Sequence, residues 1–195
     1  MSKRVVLVTG TPCVGKTSAA RLLTAKLNAL YINLTDLAFQ NNLIKEKDEK
    51  RNTVVINESA MRKTLRNLIN ETDSQEIVVD SHYAANVVPA KLATYIFVLR
   101  RDPEELRELM KKQGFSEAKQ AENLAAEILD VSLVDALNAQ ATAKTCELNV
   151  TGKTPEEIAN QILQTMANPK KCCIGIVDWL GKLEKEGKLE EYLKL

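Results

Sequence analysis

The densest chemistry in the chain lies in eight consecutive residues, Gly10-Thr11-Pro12-Cys13-Val14-Gly15-Lys16-Thr17, which fit the pattern G-x-x-x-x-G-K-[ST]. Glycines at its two ends let the backbone fold tightly, so that successive amide N–H groups point at phosphate oxygens. A helix opening at Lys16 adds the partial positive charge of its N-terminus. Lys16 is placed to reach the β and γ phosphates of a nucleotide, and Thr17 to hold a metal ion. Gly10, Cys13, Val14, Gly15, Lys16, Thr17 and Ser18 therefore form the expected phosphate cradle, with ATP and Mg2+ as ligand and metal. From average composition, a chance match in a chain of this length has odds below about 1%.

Asp80 closes the apolar run Ile77-Val78-Val79 and is expected at the carboxyl edge of a sheet, where a carboxylate orients water around magnesium. His82, the single histidine, follows two residues later, placed either to position a water or a phosphate or to cap the turn. Cys13 lies near a helix start, an environment that lowers a thiol pKa, and nucleotide binding is expected to protect it; the bland reading is a small inert filler. The four cysteines and one histidine form no C-x2-C pattern, which argues against structural zinc. All four thiols read as free, as in a reducing compartment, with Cys172-Cys173 as apolar packing rather than a vicinal disulfide.

These groups need a scaffold, and the apolar patterning supplies one. Val5 to Val8, Ile77 to Val79 and Tyr95 to Leu99 are short continuous apolar runs, as expected of parallel strands buried on both faces. Cys146 to Val150 is a weaker fourth, and Leu30 to Asn33 is a candidate fifth. A helical stretch runs from Lys16 to Leu30, and Thr154-Pro155-Glu156-Glu157 is a good helix start. The alternation calls for an α/β fold with a doubly wound, mostly parallel sheet of about five strands. Asp102 to Leu137 reads as two long helices joined near Gly114, with Leu124, Ile128, Val131, Val134 and Leu137 along the second. Asn168 to Leu195 reads as an appended tail with an apolar stripe of Ile176, Leu180 and Leu183, its helices limited by Gly181 and Gly187.

Composition bounds the function. Lys plus Arg number 27 against 26 Asp plus Glu, a net charge of +1, which is a poor match to a nonspecific nucleic-acid coat. Aromatic residues are only 4%, too few for a base-stacking platform. The apolar run in MSKRVVLVTG is too short for a signal peptide or membrane span, so an intracellular protein with no membrane partner is expected. The segment from Lys45 to Arg66 carries seven Lys or Arg against four Asp or Glu, a local excess hidden by the near-neutral total.

Taken in order, GTPCVGKT, YINLTDLA (31–38), VVDSHYA (78–84), LRRDPEELRE (99–108), GFSEAK (114–119) and ENLAAEILD (122–130) resemble the adenylate kinase isoenzyme 6 family over roughly residues 4 to 165. The tail with Ile176-Val177-Asp178-Trp179-Leu180 is similar to extensions in archaeal members. The resemblance implies a P-loop nucleoside monophosphate kinase fold: a kinase domain over residues 1–167 and a helical tail over 168–195. It places the monophosphate-binding insertion at about 33–56, with Asn33 and Asp36 toward the acceptor, and the lid at about 112–122. It implies catalytic roles for Lys16, Asp80 and His82, ATP contacts from Gln113 and Lys153, and magnesium held by Thr17 and, through water, Asp80. The implied activities are ATP + AMP = 2 ADP and ATP hydrolysis. The implied setting is cytoplasmic, or nuclear in a eukaryote, with a monomer acting in maturation of the small ribosomal subunit beside one of its proteins.

The chain departs from the family pattern in four places. Cys13 replaces a usual glycine, Leu109 and Gln113 stand where the lid commonly carries arginines, and Phe39 stands where monophosphate kinases often have one. Lost arginines remove bidentate phosphate contacts, leaving Arg100, Arg101, Arg107 and Lys119 as candidate substitutes. Two alternatives follow: a nucleotide-switched assembly factor with little kinase activity, or a small-molecule kinase with another acceptor.

Overall fold

A computed structural model of the chain describes residues 3–48, 53–139 and 145–193. Five strands form the central sheet: β1 (Arg4–Gly10), β2 (Leu30–Asn33), β5 (Glu76–Asp80), β6 (Ala93–Arg100) and β7 (Thr145–Asn149). Their order is β2-β5-β1-β6-β7 and every neighbouring pair is parallel, giving the doubly wound α/β sheet that the sequence calls for. Alternate residues of β1 serve opposite faces. Val6 and Val8 pack with Leu23, Ile158 and Ile162 on one side, and Val5 and Leu7 with Met61, Leu65 and Ile69 on the other. Both faces are covered, which is why the strands read as continuous apolar runs.

The winding fixes where a ligand can enter. From β1 the chain passes through α1 (Lys16–Leu27) to β2 on one side, whereas from β5 it crosses through α4 (Ala84–Val87) to β6 on the other. The crevice between the carboxyl ends of β1 and β5 is therefore the switch point, the place where such sheets bind ligands. The phosphate loop leaves β1 there, and Asp80 ends β5 there.

Several expected elements are redrawn. The first helix stops at Leu27, because Asn28 turns left-handed (φ 50°) and the Ala29 amide bonds back to the Thr24 carbonyl at 3.0 Å. After α2 (Leu34–Gln40), the charged segment folds as an antiparallel hairpin, β3 (Ile44–Asp48) and β4 (Thr53–Ile56), then α3 (Glu58–Glu71). Residues 49–52 of the expected monophosphate insertion lie outside the described residues. Two long helices become three: α5 (Pro103–Lys112), α6 (Glu117–Ile128) and α7 (Val131–Ala139). The break falls at Asp130, whose φ of 58° no helix accepts. It divides the expected apolar stripe, since Leu124 and Ile128 join one core while Leu133 and Ala136 of α7 join the other, and Val131 and Val134 stay exposed.

The C-terminal segment is not a loose appendage. After α8 (Pro155–Ala167), a strap runs along β7, with the Glu147 amide bonding the Cys173 carbonyl at 2.8 Å. It continues into α9 (Trp179–Lys185) and α10 (Leu189–Tyr192). Val177, Trp179, Leu183 and Tyr192 enter the core, whereas Ile176 and Leu180 of the expected stripe are exposed. Gly181 does not stop α9; it lies in the first turn, where its amide bonds Asp178 Oδ1 at 2.8 Å. Gly187 (φ 67°) follows the helix end as expected. Nor are all four thiols free: Cys146 and Cys172 form a disulfide between β7 and the strap, their Cα atoms 4.8 Å apart, leaving Cys13 and Cys173. Spacing along the sequence held no sign of it, because the two sulfurs meet only when the strap lies against β7. Among the described residues, no helix is long and apolar enough to cross a membrane.

Candidate active site

The phosphate loop owes its path to three left-handed positions. Gly10 has φ 135°, and a Cβ there would overlap the Leu99 carbonyl, so no other residue fits. Gly15 (φ 105°) caps α1, which has no side-chain cap and no acidic residue in its first turn. Its N-terminal field is thus left for an anion. Cys13 takes φ 70°, a left-handed conformation that favours glycine.

Around this loop the side chains Cys13, Lys16, Thr17, Ser18 and Gln113, with Gly15, line a cavity of about 230 Å3. Lys16 is buried, and its ammonium bonds the Thr11 carbonyl at 2.7 Å. Burial lowers its pKa to about 8, against the opposing pull of Asp80, Cys13 and Glu127. Cys13 Sγ lies 3.3 Å from Gln113 Oε1, joining the loop to the end of α5. Burial raises the Cys13 thiol, and nearby Lys16 only partly offsets this. The expectation of a lowered, reactive thiol is therefore corrected: burial outweighs the charge of Lys16, and Cys13 lies ahead of α1, which starts at Lys16.

Asp80 is 1% exposed and is held through one oxygen. Its Oδ2 accepts from Thr17 Oγ1 at 2.7 Å, Tyr31 Oη at 2.9 Å and Asn33 Nδ2 at 3.1 Å. The register explains the last two: Tyr31 and Asn33 are alternate residues of β2, opposite Val78 and Asp80 of β5, so both reach the same strand end. Burial and the Asp80 charge raise the Tyr31 phenol, which stays a donor. The Asn33 oxygen meanwhile caps α2, accepting from the Thr35 and Asp36 amides at 2.9 and 3.1 Å. Asn33 and Asp36 line a second cavity of about 230 Å3, together with Tyr31 and Gln40. Asp80 thus connects the two cavities, touching Thr17 of one and Tyr31 and Asn33 of the other.

His82 is exposed at the rim, with its carbonyl accepting from Thr9 Oγ1 at 3.2 Å. Surrounding protein, then the Lys16 and Lys119 cations, hold its imidazole down to about 4, Asp80 opposing. The ring is therefore neutral at neutral pH. Lys119 on α6 also pairs with Glu122 at 3.0 Å.

The oxygen pair Thr17 and Asp80 suits a hard cation that keeps most of its shell as water and phosphate. Among the described residues, no group of three His, Cys, Asp or Glu is arranged to hold a metal ion by itself.

Other expected residues fall elsewhere. Lys153 Nζ bonds the Asn149 carbonyl and Gln161 Oε1, at 2.7 and 2.6 Å, and lines neither cavity. Its carbonyl meets Arg101, which bonds the Val14 carbonyl of the loop at 3.1 Å. Three of the four substitute cations are held by carboxylates, Arg101 beside the loop itself. Arg100 is buried against Glu127, Asp130 and Glu147, Arg101 pairs with Glu105, and Arg107 pairs with Glu191 over the Tyr192 ring. Sequence reasoning missed Tyr31, although its i, i+2 spacing from Asn33 was a usable signal. Thr11 lay inside the loop motif, but Glu127 carried no signal. A larger cavity of about 890 Å3, lined by Arg62, Arg66, Asn86 and Lys91 among others, shares no residue with this site.

Comparison with known proteins agrees with the geometry. A family profile described as an AAA domain matches residues 6–130. A Pyrococcus furiosus protein named "Putative adenylate kinase" is 36% identical over 191 residues, covering 98% of both chains. A Saccharolobus islandicus protein of the same name is 35% identical over 191 residues, covering 98% of this chain and 95% of its own. Among solved structures, Acinetobacter baumannii shikimate kinase in complex with shikimate superposes with a TM-score of 0.62 at 14% identity, over 86% of this chain and 95% of that one. Candida albicans thymidylate kinase gives 0.54 at 15%, over 88% and 94%. At such identities the structural likeness speaks to the fold alone.

Proposed function

The chain belongs to the adenylate-kinase-like family that these archaeal relatives represent, and we propose that it transfers the γ-phosphoryl group of ATP to a nucleoside monophosphate, AMP first, yielding two ADP. The supporting observation is Asp80, a buried carboxylate that bonds Thr17 of the phosphate-loop cavity and Tyr31 and Asn33 of the cavity beside β2. Donor and acceptor bound in those two places would meet at its edge.

The chemistry needs positioning and charge neutralisation more than a strong base. The loop amides and the α1 N-terminus hold the ATP phosphates. Lys16 leaves the Thr11 carbonyl for the γ-phosphate, where developing charge replaces a neutral partner. Magnesium, held by Thr17 and through water by Asp80, would neutralise phosphate charge there. An AMP phosphate oxygen forms the new bond to phosphorus as the bond to the ADP leaving group breaks. Residues 33–56 serve as the acceptor insertion and 112–122 as the lid, with Gln113 lining the cradle. His82 stays neutral and orients a water or a phosphate oxygen. Without AMP, that water takes the phosphoryl group, giving slow ATP hydrolysis.

A second reading has its own observation. Arg100, Arg101 and Arg107 are committed to carboxylates, and the lining of the acceptor cavity holds no Lys or Arg among the described residues. Weak transfer with a nucleotide-dependent conformational role would follow, as in a ribosome-assembly factor of the isoenzyme 6 type, partnered by a small-subunit ribosomal protein. Rates of ADP formation from ATP, with AMP, with other acceptors and with none, separate the readings. Stimulation by AMP supports the kinase, an AMP-independent rate supports the switch, and turnover only with another acceptor overturns both.

A further inference from the structure

Two glutamates in the core outnumber the guanidinium between them. Arg100 Nε bonds Glu127 Oε1 at 3.0 Å and Arg100 Nη1 bonds Glu147 Oε1 at 2.7 Å, with all three side chains essentially inaccessible. Asp130, partly exposed, shares the same arginine. A buried carboxylate lacking donors is costly, so the excess negative charge must be met by further N–H or O–H groups.

The C-terminal segment meets part of it, with one donor for each glutamate. The Ile176 amide bonds Glu147 Oε2 at 2.8 Å, and the Trp179 indole N–H bonds Glu127 Oε1 at 3.1 Å. Glu127 Oε1 also accepts from the Arg101 amide at 3.0 Å. Its other oxygen accepts from Thr11 Oγ1 at 2.5 Å. Thr11 is a phosphate-loop residue whose carbonyl holds Lys16. One carboxylate thus joins the end of α6, the end of β6, the C-terminal segment and the loop. Packing alone would not require this: a buried indole needs an acceptor, but not the acceptor that fixes the loop.

We infer that Glu127 and Trp179 are positioning residues of the nucleotide site, so that the C-terminal segment sets the affinity of the phosphate loop through the Trp179–Glu127–Thr11 chain. This rests on the phosphate loop binding ATP, as proposed above. Trp179 fixes one oxygen of Glu127, the carboxylate fixes the Thr11 hydroxyl, and Thr11 sets the loop carbonyl and amides that Lys16 and the phosphates share. An ion pair of Lys182 with Asp102 holds the helix that carries Trp179, and one of Lys188 with Glu104 holds the start of the next.

The test is a double-mutant cycle on ADP dissociation constants and on ATP turnover. Trp179→Phe keeps the buried ring and removes the N–H; Thr11→Val keeps the volume and removes the hydroxyl. Each should weaken ADP and raise the KM for ATP by about fivefold, the size expected for losing one positioning hydrogen bond, with kcat within about twofold. The double variant should lose no more than either single, since both cut one chain. Thr11→Ser should restore affinity. Leu183→Ala, a buried change in the same helix with no polar link to the loop, should lower the melting temperature and leave affinity unchanged. If Trp179→Phe does not fold, Glu127→Gln replaces it in the cycle. Losses that multiply in the double variant, unchanged affinity in Trp179→Phe, or an equal loss in Leu183→Ala would overturn the inference. Wild-type protein that binds neither ADP nor ATP would instead overturn the phosphoryl-transfer reading, and this inference with it.

Discussion

At the residue scale, Lys16 carries the most specific chemistry. Burial sets its pKa at about 8, so near pH 8.5 most of the free protein holds a neutral amine on the Thr11 carbonyl. Polyphosphate beside it favours the cation and raises that pKa, so binding must take up a proton. Calorimetry of ATP binding at pH 8.5 in buffers of different ionisation enthalpy should show uptake of roughly half a proton or more. Lys16→Met should show none, and equal uptake in both proteins would contradict the assignment. His82 gives the opposite kind of prediction. With its imidazole held down to about 4, the ring is neutral throughout pH 6 to 7.5, and turnover there should carry no limb that His82→Gln removes. A limb near pH 6.5, lost in that variant, would show the ring titrating normally. Of these residues, Lys16, Thr17, Asp80 and His82 were legible because a short motif fixes them relative to a strand end. Glu127 was not, since its partners lie 26 to 116 positions away along the chain.

At the element scale, β2 does more than close the edge of the sheet. Its register with β5 delivers two donors, Tyr31 and Asn33, to one oxygen of Asp80. Tyr31→Phe removes one donor to a buried carboxylate and leaves the ring. Hydrogen bonds to charged groups contribute about 1.5–3 kcal/mol, and two donors remain, so kcat/KM should fall about tenfold with the fold retained by circular dichroism. An unchanged kcat/KM would show that Asp80 needs no such anchoring. Strands were legible as apolar runs because both sheet faces are covered. The α6–α7 break was not, because a left-handed Asp130 leaves the helical spacing of Leu124 to Leu137 intact on paper while sending its two halves to different cores.

On the scale of the whole molecule, the C-terminal segment is the largest revision. Read as an appendage, it instead supplies buried apolar residues, donors to two buried glutamates and one half of a disulfide. Its exposed Ile176 and Leu180 disguise this in the sequence, because the residues that dock, Val177, Trp179 and Leu183, are offset from them. The Cys146–Cys172 bridge spans a sequence separation of 26, for which loop-closure entropy gives roughly 3 kcal/mol of stabilisation. Reduction should therefore lower the melting temperature by roughly 10 °C in a chain of this size, read by calorimetry with and without a dithiol reductant. No shift would mean that packing alone holds the strap to β7.

All of these parts serve one claim, that Lys16, Thr17 and Asp80 organise transfer of a phosphoryl group between two bound nucleotides. Following the label of ATP carrying 32P at its γ position tests it most directly. With AMP present, label should appear in ADP, and Lys16→Met should abolish that transfer while remaining folded. Label released only as inorganic phosphate, at the same rate with or without AMP, would contradict the account.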